Sequence, residues 1–458
     1  MSCEVFCCEI NEILQVLVEA SDGKYLTLLF SFLDLEPPLD HHLAGYFEKV
    51  SELLFRRMTV PVMRYVNTGG IRVLESFLRH VDSYSIMQIV QRLMLPHIPF
   101  SITSDPESIN PSESQNYQCN WSYSEETCTL LCARMLENGN VDVPSHISDL
   151  LITVLQLSPA EALILSHLCQ RQRVESIIAA AIVDDTDTTS PGGIPTPVQC
   201  VGLASVSVLE SMVLRLGETA GPFADESNRE VSLEEQQILQ QIKESVDNFL
   251  GALLPYLPKI DEQLRAYATK EPCGTITGQT KRTYARLGHR GLQLVKFVES
   301  LVRLSNVGFD VHLCSSGVIR SATNLIFVFE LNSILHLSIQ RIVLMIIEGG
   351  SARRLIQHHI LIDCGLLKRI MERIDQQMHL APSGQPNTSN RSPSLGHLIQ
   401  IVQALHHNLQ NENFEAGVRR DEEELMGKMA TIALQSGNGE DGTSSLSKRC
   451  VILIKILF

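Results

Sequence analysis

Three groupings in this sequence hold residue types able to do chemistry. Asp34, Glu36 and Asp40 crowd around Pro37 and Pro38 in the stretch LDLEPPLD, and closely spaced carboxylates can divide general acid and general base work. They stand without a nucleophile, a metal-ligand set or a phosphate cradle nearby, the parts a reaction centre needs. The second grouping is histidine in pairs: His41 and His42, His358 and His359, His406 and His407. Adjacent residues on a helix point in different directions, and no H-E-x-x-H spacing puts two imidazoles on one face. The third is GNGEDG at 437–442, which spells G-x-G-x-x-G. A dinucleotide cradle needs that loop between a strand and a helix; here it lies in a Ser- and Gly-rich tail and reads as a linker. With no Walker loop and no G-x-S-x-G elbow either, the chain reads as non-enzymatic, with no catalytic residues, cofactor or metal.

The elements that hold these residues read as helices. Apolar residues make up 44% of the chain and aromatics only 5%, an aliphatic bias that suits helix-on-helix packing. At 458 residues the chain exceeds one ordinary core. From Lys24 to Phe32 a short helix fits. From Leu43 the residues Tyr46, Phe47, Val50, Leu53 and Leu54 recur at helical spacing. Pro37 and Pro38 cannot continue a helix, and Asp40 can cap the next one. Phe32, Leu33, Leu39, Leu43 and Phe47 are expected in the core. Asn332 and Ser333 can split the long apolar segment VIRSATNLIFVFELNSILHLSIQRIVLMIIEGG by capping a new helix that runs to Gly349 and Gly350.

No fixed period links these runs. The expected fold is all-α, an irregular armadillo- or HEAT-like helical solenoid over residues 1–411, with loop insertions near 99–118, 184–199, 269–280 and 380–394. Residues 412–458 are expected as a helical or flexible acidic tail.

Charge and cysteine bound the partners and the compartment. Fifty-two Asp and Glu against 37 Lys and Arg give a net charge of −15, which argues against nucleic acid and anionic membranes and for basic partners. Twelve cysteines are scattered with no C-x-x-C pair, so a zinc ribbon is not indicated and a reducing compartment is, cytoplasmic or also nuclear. The opening MSCEVFCCEINEIL carries Glu4, Glu9 and Glu12 in place of a basic leader. No apolar run is read as reaching the roughly 20 residues of a membrane span. The closing CVILIKILF is apolar, short and interrupted by Lys455, a docking strand or a frayed tail.

Several separated stretches, in order, carry a resemblance: CEVFCCEINEIL, FSFLDLEPPLDHHLAGYFEKVSELLFRR, RLGHRGLQLVKFVESLVRL, NLIFVFELNSILHLSIQ, LIDCGLLKRIMERI and SLGHLIQIVQAL. They resemble the SAPS-domain family, regulatory subunits of the protein phosphatase 6 type catalytic subunit, over most of residues 1 to about 411. Phe32, Leu33, Glu36, Pro37, Pro38, Leu39, Leu43, Ala44 and Phe47 carry the first motif, Leu335 and His336 a later one, Gly396 and His397 the last. Leu331 to His336 lacks the tryptophan the family commonly has there, and the family pattern implies further helices upstream of Cys3.

The resemblance implies a non-catalytic scaffold that binds a phosphatase 6 type catalytic subunit and directs it toward substrates, with ankyrin-repeat regulatory subunits as further partners. Asp34, Glu36, Pro37, Pro38, Asp40 and His336 are the residues expected at the partner surface. The alternative is a general armadillo- or HEAT-like adaptor for another basic protein. Phosphatase binding separates the two.

Overall fold

The structure, a computed structural model, describes residues 2–19, 23–95, 119–158, 163–183, 196–220, 233–270, 274–278, 281, 283–379 and 393–409. They fall into two compact units, Met1–Leu253 and Leu254–Phe458. The first holds α1 (Ser2–Cys7), α2 (Asn11–Glu19), α3 (Lys24–Phe30), α4 (His41–Arg57), α5 (Thr59–Gly69), α6 (Ile71–Arg79), α7 (Tyr84–Met94), α8 (Glu125–Met135), α9 (Asp142–Leu157), α10 (Ile164–Leu168), α11 (Arg171–Ala181), α12 (Pro197–Ala220) and α13 (Leu233–Leu253). The second holds α14 (Leu257–Lys270), strands β1 (Thr275–Thr277) and β2 (Thr283–Ala285), then α15 (Gly288–Arg303), α16 (Val307–Ser316), α17 (Val318–Val328), α18 (Ser333–Ile347), α19 (Arg354–His358), α20 (Leu366–His379) and α21 (Leu395–Leu409). The all-α expectation holds.

Helix limits follow from the caps. Asp40, Ser124, Asn306 and Asn332 each accept backbone N–H bonds at the starts of α4, α8, α16 and α18, satisfying donors that have no partner within the helix. The split expected at Asn332 is therefore found, with Leu335 N–H donating to its Oδ1 at 3.0 Å. A second break divides the same apolar segment. Gly317, at φ 83°, ends α16 and starts α17, a backbone conformation glycine adopts without steric cost.

Within each unit a helix packs on the third helix along. The first unit shows this for α1 with α4, α4 with α7 and α9 with α12; the second shows it for α14 with α17, α15 with α18, α16 with α19 and α18 with α21. That is the grammar of three-helix repeats stacked in chain order, in which each repeat buries its face on its neighbour. Long-range side chains reinforce the stacking at helix C-termini. Arg79 donates to Leu33 O (3.2 Å), Arg134 to Leu78 O (3.0 Å), Arg215 to Ser158 O (2.8 Å), Arg353 to Val302 O (3.0 Å) and Arg373 to Phe327 O (2.7 Å). Terminal carbonyls lack intrahelical donors and carry the negative end of the helix dipole, so a guanidinium from the next repeat both satisfies and neutralises them.

Two expectations need correction. The residues 269–280, read as a loop, include the end of α14 and the strand β1. And α12 is long and apolar enough to cross a membrane, contrary to the reading that no run reaches that length. Its apolar positions are occupied by protein: it packs on α9, α11 and α13, burying Val201, Val208, Leu209, Met212 and Leu216, as a core helix does. The insertion at 99–118, GNGEDG and CVILIKILF lie outside the described residues, and so does the tail from 412.

In the second unit a buried ion pair ties α16 to the turn before α19. Arg353 Nε and Nη2 each donate to an Asp310 carboxylate oxygen at 2.7 Å, with both side chains almost fully buried. Arg353 Nη1 also reaches Ser305 Oγ at 3.3 Å. A bidentate fork with its remaining donors satisfied is the geometry in which a buried pair is tolerated.

Candidate functional site

The LDLEPPLD corner rests on aromatic rings. Phe30 closes α3, Phe32 sits in the 3-10 turn Ser31–Asp34 and Phe47 lies on the inner face of α4. Ring centroids stand 5.9 Å apart for Phe30 and Phe47, 5.1 Å for Phe32 and Phe47, 6.1 Å for Phe30 and Phe77, and 5.2 Å for Phe30 and Tyr65. In a chain with 5% aromatics, five rings under one turn make it the most heavily anchored bend described. Such pairs add about 0.5–1.5 kcal/mol each beyond their buried area.

Polar groups lock the same turn from α6. His80, fully buried just past α6, donates from Nε2 to Leu33 O at 3.0 Å, and Arg79 donates to the same oxygen. Leu33 and Leu39 are buried at either end of the loop. Between them Asp34, Leu35, Glu36, Pro37 and Pro38 are all exposed, and the Pro37–Pro38 peptide is cis. Asp40 then caps α4, its Oδ1 accepting from His42 N–H (2.9 Å) and Leu43 N–H (3.0 Å). The Leu43 amide, aided by that of His42, holds its carboxyl below the ordinary aspartate value. Asp34 lies 3.8 Å from Arg79 with its side chain 75% exposed, a surface pair that contributes little to stability.

Apolar groups surround the carboxylates on the outside. Leu35, Leu43 and Tyr46 are each 51% exposed and Leu28 is 69% exposed. Leu43 and Tyr46, three apart, share one face of α4. The expectation that Leu43 is core is therefore corrected, and Phe32 is half-buried; the helical spacing that placed Leu43 inside puts it one position past the buried stripe of Ala44, Phe47, Val50 and Leu54. A rigid, solvent-facing loop with carboxylates beside exposed leucine and tyrosine can dock a partner.

His336 is a different case. Expected at the surface, it is fully buried, because the same turn that Asn332 caps folds it back beneath Phe329, whose carbonyl accepts from its Nε2 at 2.8 Å. Burial holds its pKa below the ordinary histidine value. Its ring lies edge-on to His397 of α21, centroids 5.6 Å apart, and His397 Nδ1 stands 2.6 Å from Gln340 Oε1. Two separated sequence motifs thus meet inside the protein, as packing. Among the described residues, no three His, Cys, Asp or Glu side chains come together in a way that could hold a metal ion.

What sequence reasoning missed is the support: Arg79 and His80 from α6, Tyr65 from α5, and the exposed Leu35 and Tyr46. The dipeptide Arg-His closing an amphipathic helix was the available signal, but its target lies 46 and 47 residues away.

Comparison with known proteins adds what geometry alone does not. Residues 307–426 match the SAPS family, described as SIT4 phosphatase-associated protein. Curated relatives align far more widely. Serine/threonine-protein phosphatase 6 regulatory subunit 3-B of Xenopus laevis is 21% identical over 438 residues, 90% of this chain and 46% of its own length. Human regulatory subunit 1 of the same phosphatase is 22% identical over 430 residues, 88% of this chain and 45% of its own, and mouse regulatory subunit 2 is 19% identical over 467 residues, 91% and 46%. The chain spans about half the length of the curated relatives it matches. By a family match across α16 to α21 and an alignment over about nine-tenths of its length, the chain is similar to the SAPS phosphatase-associated proteins.

Proposed function

We propose that this protein is a non-catalytic regulatory and scaffold subunit that binds a protein phosphatase 6 type catalytic subunit and directs it toward substrates. The observation that carries the reading is the breadth of the alignment: relatives named as regulatory subunits of that phosphatase match about nine-tenths of the chain. Repeats stacked in chain order supply the extended surface a scaffold needs. The Asp34–Asp40 corner serves as one contact, with Asp34, Glu36, Pro37, Pro38 and Asp40 presenting a shape fixed from below. His336 is not a contact in this scheme, since no partner can reach it. Ankyrin-repeat subunits are a second partner class, and the cytoplasm, with the nucleus, is the compartment; free thiols, such as the buried Cys119 and Cys128 pushed up to about 12 by desolvation, suit a reducing one.

The test is affinity of the purified chain for a phosphatase 6 type catalytic subunit, with a related phosphatase catalytic subunit as control. Selective, saturable binding, together with no phosphatase activity in the chain alone, is the expected result. A folded sample that binds neither overturns the reading in favour of a general helical adaptor.

A further inference from the structure

Between α14 and α15 the helical pattern gives way to a two-stranded antiparallel hairpin, with Thr275 opposite Ala285, Ile276 opposite Tyr284 and Thr277 opposite Thr283. Arg286 N–H donates to Gly274 O at 2.9 Å, which makes that pair a hydrogen-bonded one. Antiparallel pairs alternate between bonded and non-bonded, so the N–H and C=O groups of Thr275 and Thr277 point out of the β1 edge. No third strand lies beside β1 among the described residues. All three β1 residues are exposed, Ile276 at 52%, whereas Tyr284 and Ala285 of β2 are half-buried. An open edge of this kind is a template for an added strand.

Charge selects the strand it would accept. The stretch GTITGQTKRTYAR, 274–286, has Lys281, Arg282 and Arg286 and no Asp or Glu, in a chain of net charge −15. Lys281 is exposed at the turn, held by its N–H to Gly278 O at 2.9 Å, and Arg286 is exposed at the opposite end of β2. The hairpin is thus a cationic edge on an acidic molecule. We propose that the β1 edge binds an acidic peptide segment in extended conformation as a third strand, its main chain bonding to Thr275 and Thr277 and its carboxylates set by Lys281 and Arg286. Ile276 gives the added strand an apolar neighbour on one face. The hairpin needs no phosphatase for this.

The full chain should be titrated, without any phosphatase, against fluorescent peptides of equal length: glutamate-rich, phosphoserine-bearing, lysine-rich and neutral. Saturable binding of the glutamate-rich peptide is expected, and none of the lysine-rich or neutral one. Lys281→Glu with Arg286→Glu should weaken it roughly tenfold or more. Thr277→Pro, which removes an outward N–H and no ladder bond, should weaken it as well, with helical circular dichroism unchanged. In the unaltered protein, bound peptide should slow hydrogen exchange at the Thr275 and Thr277 amides. No binding of the glutamate-rich peptide, whether or not the phosphoserine-bearing one binds, or unchanged exchange at both amides on saturation, overturns the proposal.

Discussion

Two turns of this protein solve one problem with the same group and draw it from different distances. At the Leu33 turn and at the Phe329 turn a fully buried histidine donates from Nε2 to a carbonyl that ends a helical segment, and in each the Nδ1 atom is left without a partner. In each, a capping side chain, Asp40 or Asn332, opens the next helix. The histidine of the first turn arrives from 47 residues away, that of the second from 7. Both leave residues at the surface: Leu331, Ser333 and Ile334 are exposed at the second turn, and at the first Asp34 to Pro38 face solvent on a bed of rings. The difference lies in the origin of the clamp: the first turn depends on a distant helix for its buried histidine, the second on the helix it opens.

The comparison breaks hardest at the rings. Phe47→Ala should cost about 3–5 kcal/mol, read as a shifted urea midpoint, and should speed hydrogen exchange around the corner while leaving the α18 turn unchanged. Next come the clamps. His80→Ala and His336→Ala should each cost about 1–3 kcal/mol for the lost bond to a buried carbonyl, but only His80→Ala should loosen the exposed loop, a contrast that exchange rates at Leu35 and Glu36 would show.

Titration reports on the second turn. His336 and His397 both have pKa values lowered by burial, so the unfolded chain binds protons there before the folded one does. Stability should be full above the ordinary histidine value of 6.5 and should fall as pH drops from there toward the folded pKa. Replacing both histidines with glutamine should flatten that part of the stability profile; an unchanged slope would show that the pair does not carry it.

The smaller effects lie at the corner. Asp40→Ala should lower the melting temperature by roughly 2–4 °C, as loss of one cap does. Its stabilisation should hold above the ordinary aspartate pKa and vanish as pH falls through the lowered folded value. Asp34→Lys with Glu36→Lys should leave the melting curve unchanged, since both side chains are exposed. The pair should still weaken partner binding by roughly tenfold. Unchanged affinity would remove these carboxylates from the docking surface.

Local chemistry in the sequence was enough for much of the fold. Pro37 and Pro38 end a helical run, Asp40 and Asn332 cap the next, and the aliphatic periodicity makes the chain all-α; each of these depends on residues within a turn or two. Leu43 was misplaced because helical spacing gives a stripe its period and not its edge, and one residue is 100° of rotation at about 3.6 residues per turn. The hairpin at 275–285 was missed because three-residue strands without alternation carry almost no periodic signal.

The sequence by itself determined the helices, their caps and the family resemblance. Only the tertiary structure decided which polar residues face water. Leu33 and His397 find their polar partners 46 to 57 residues away, in Arg79, His80 and Gln340, and no local pattern encodes which distant helix will bring them.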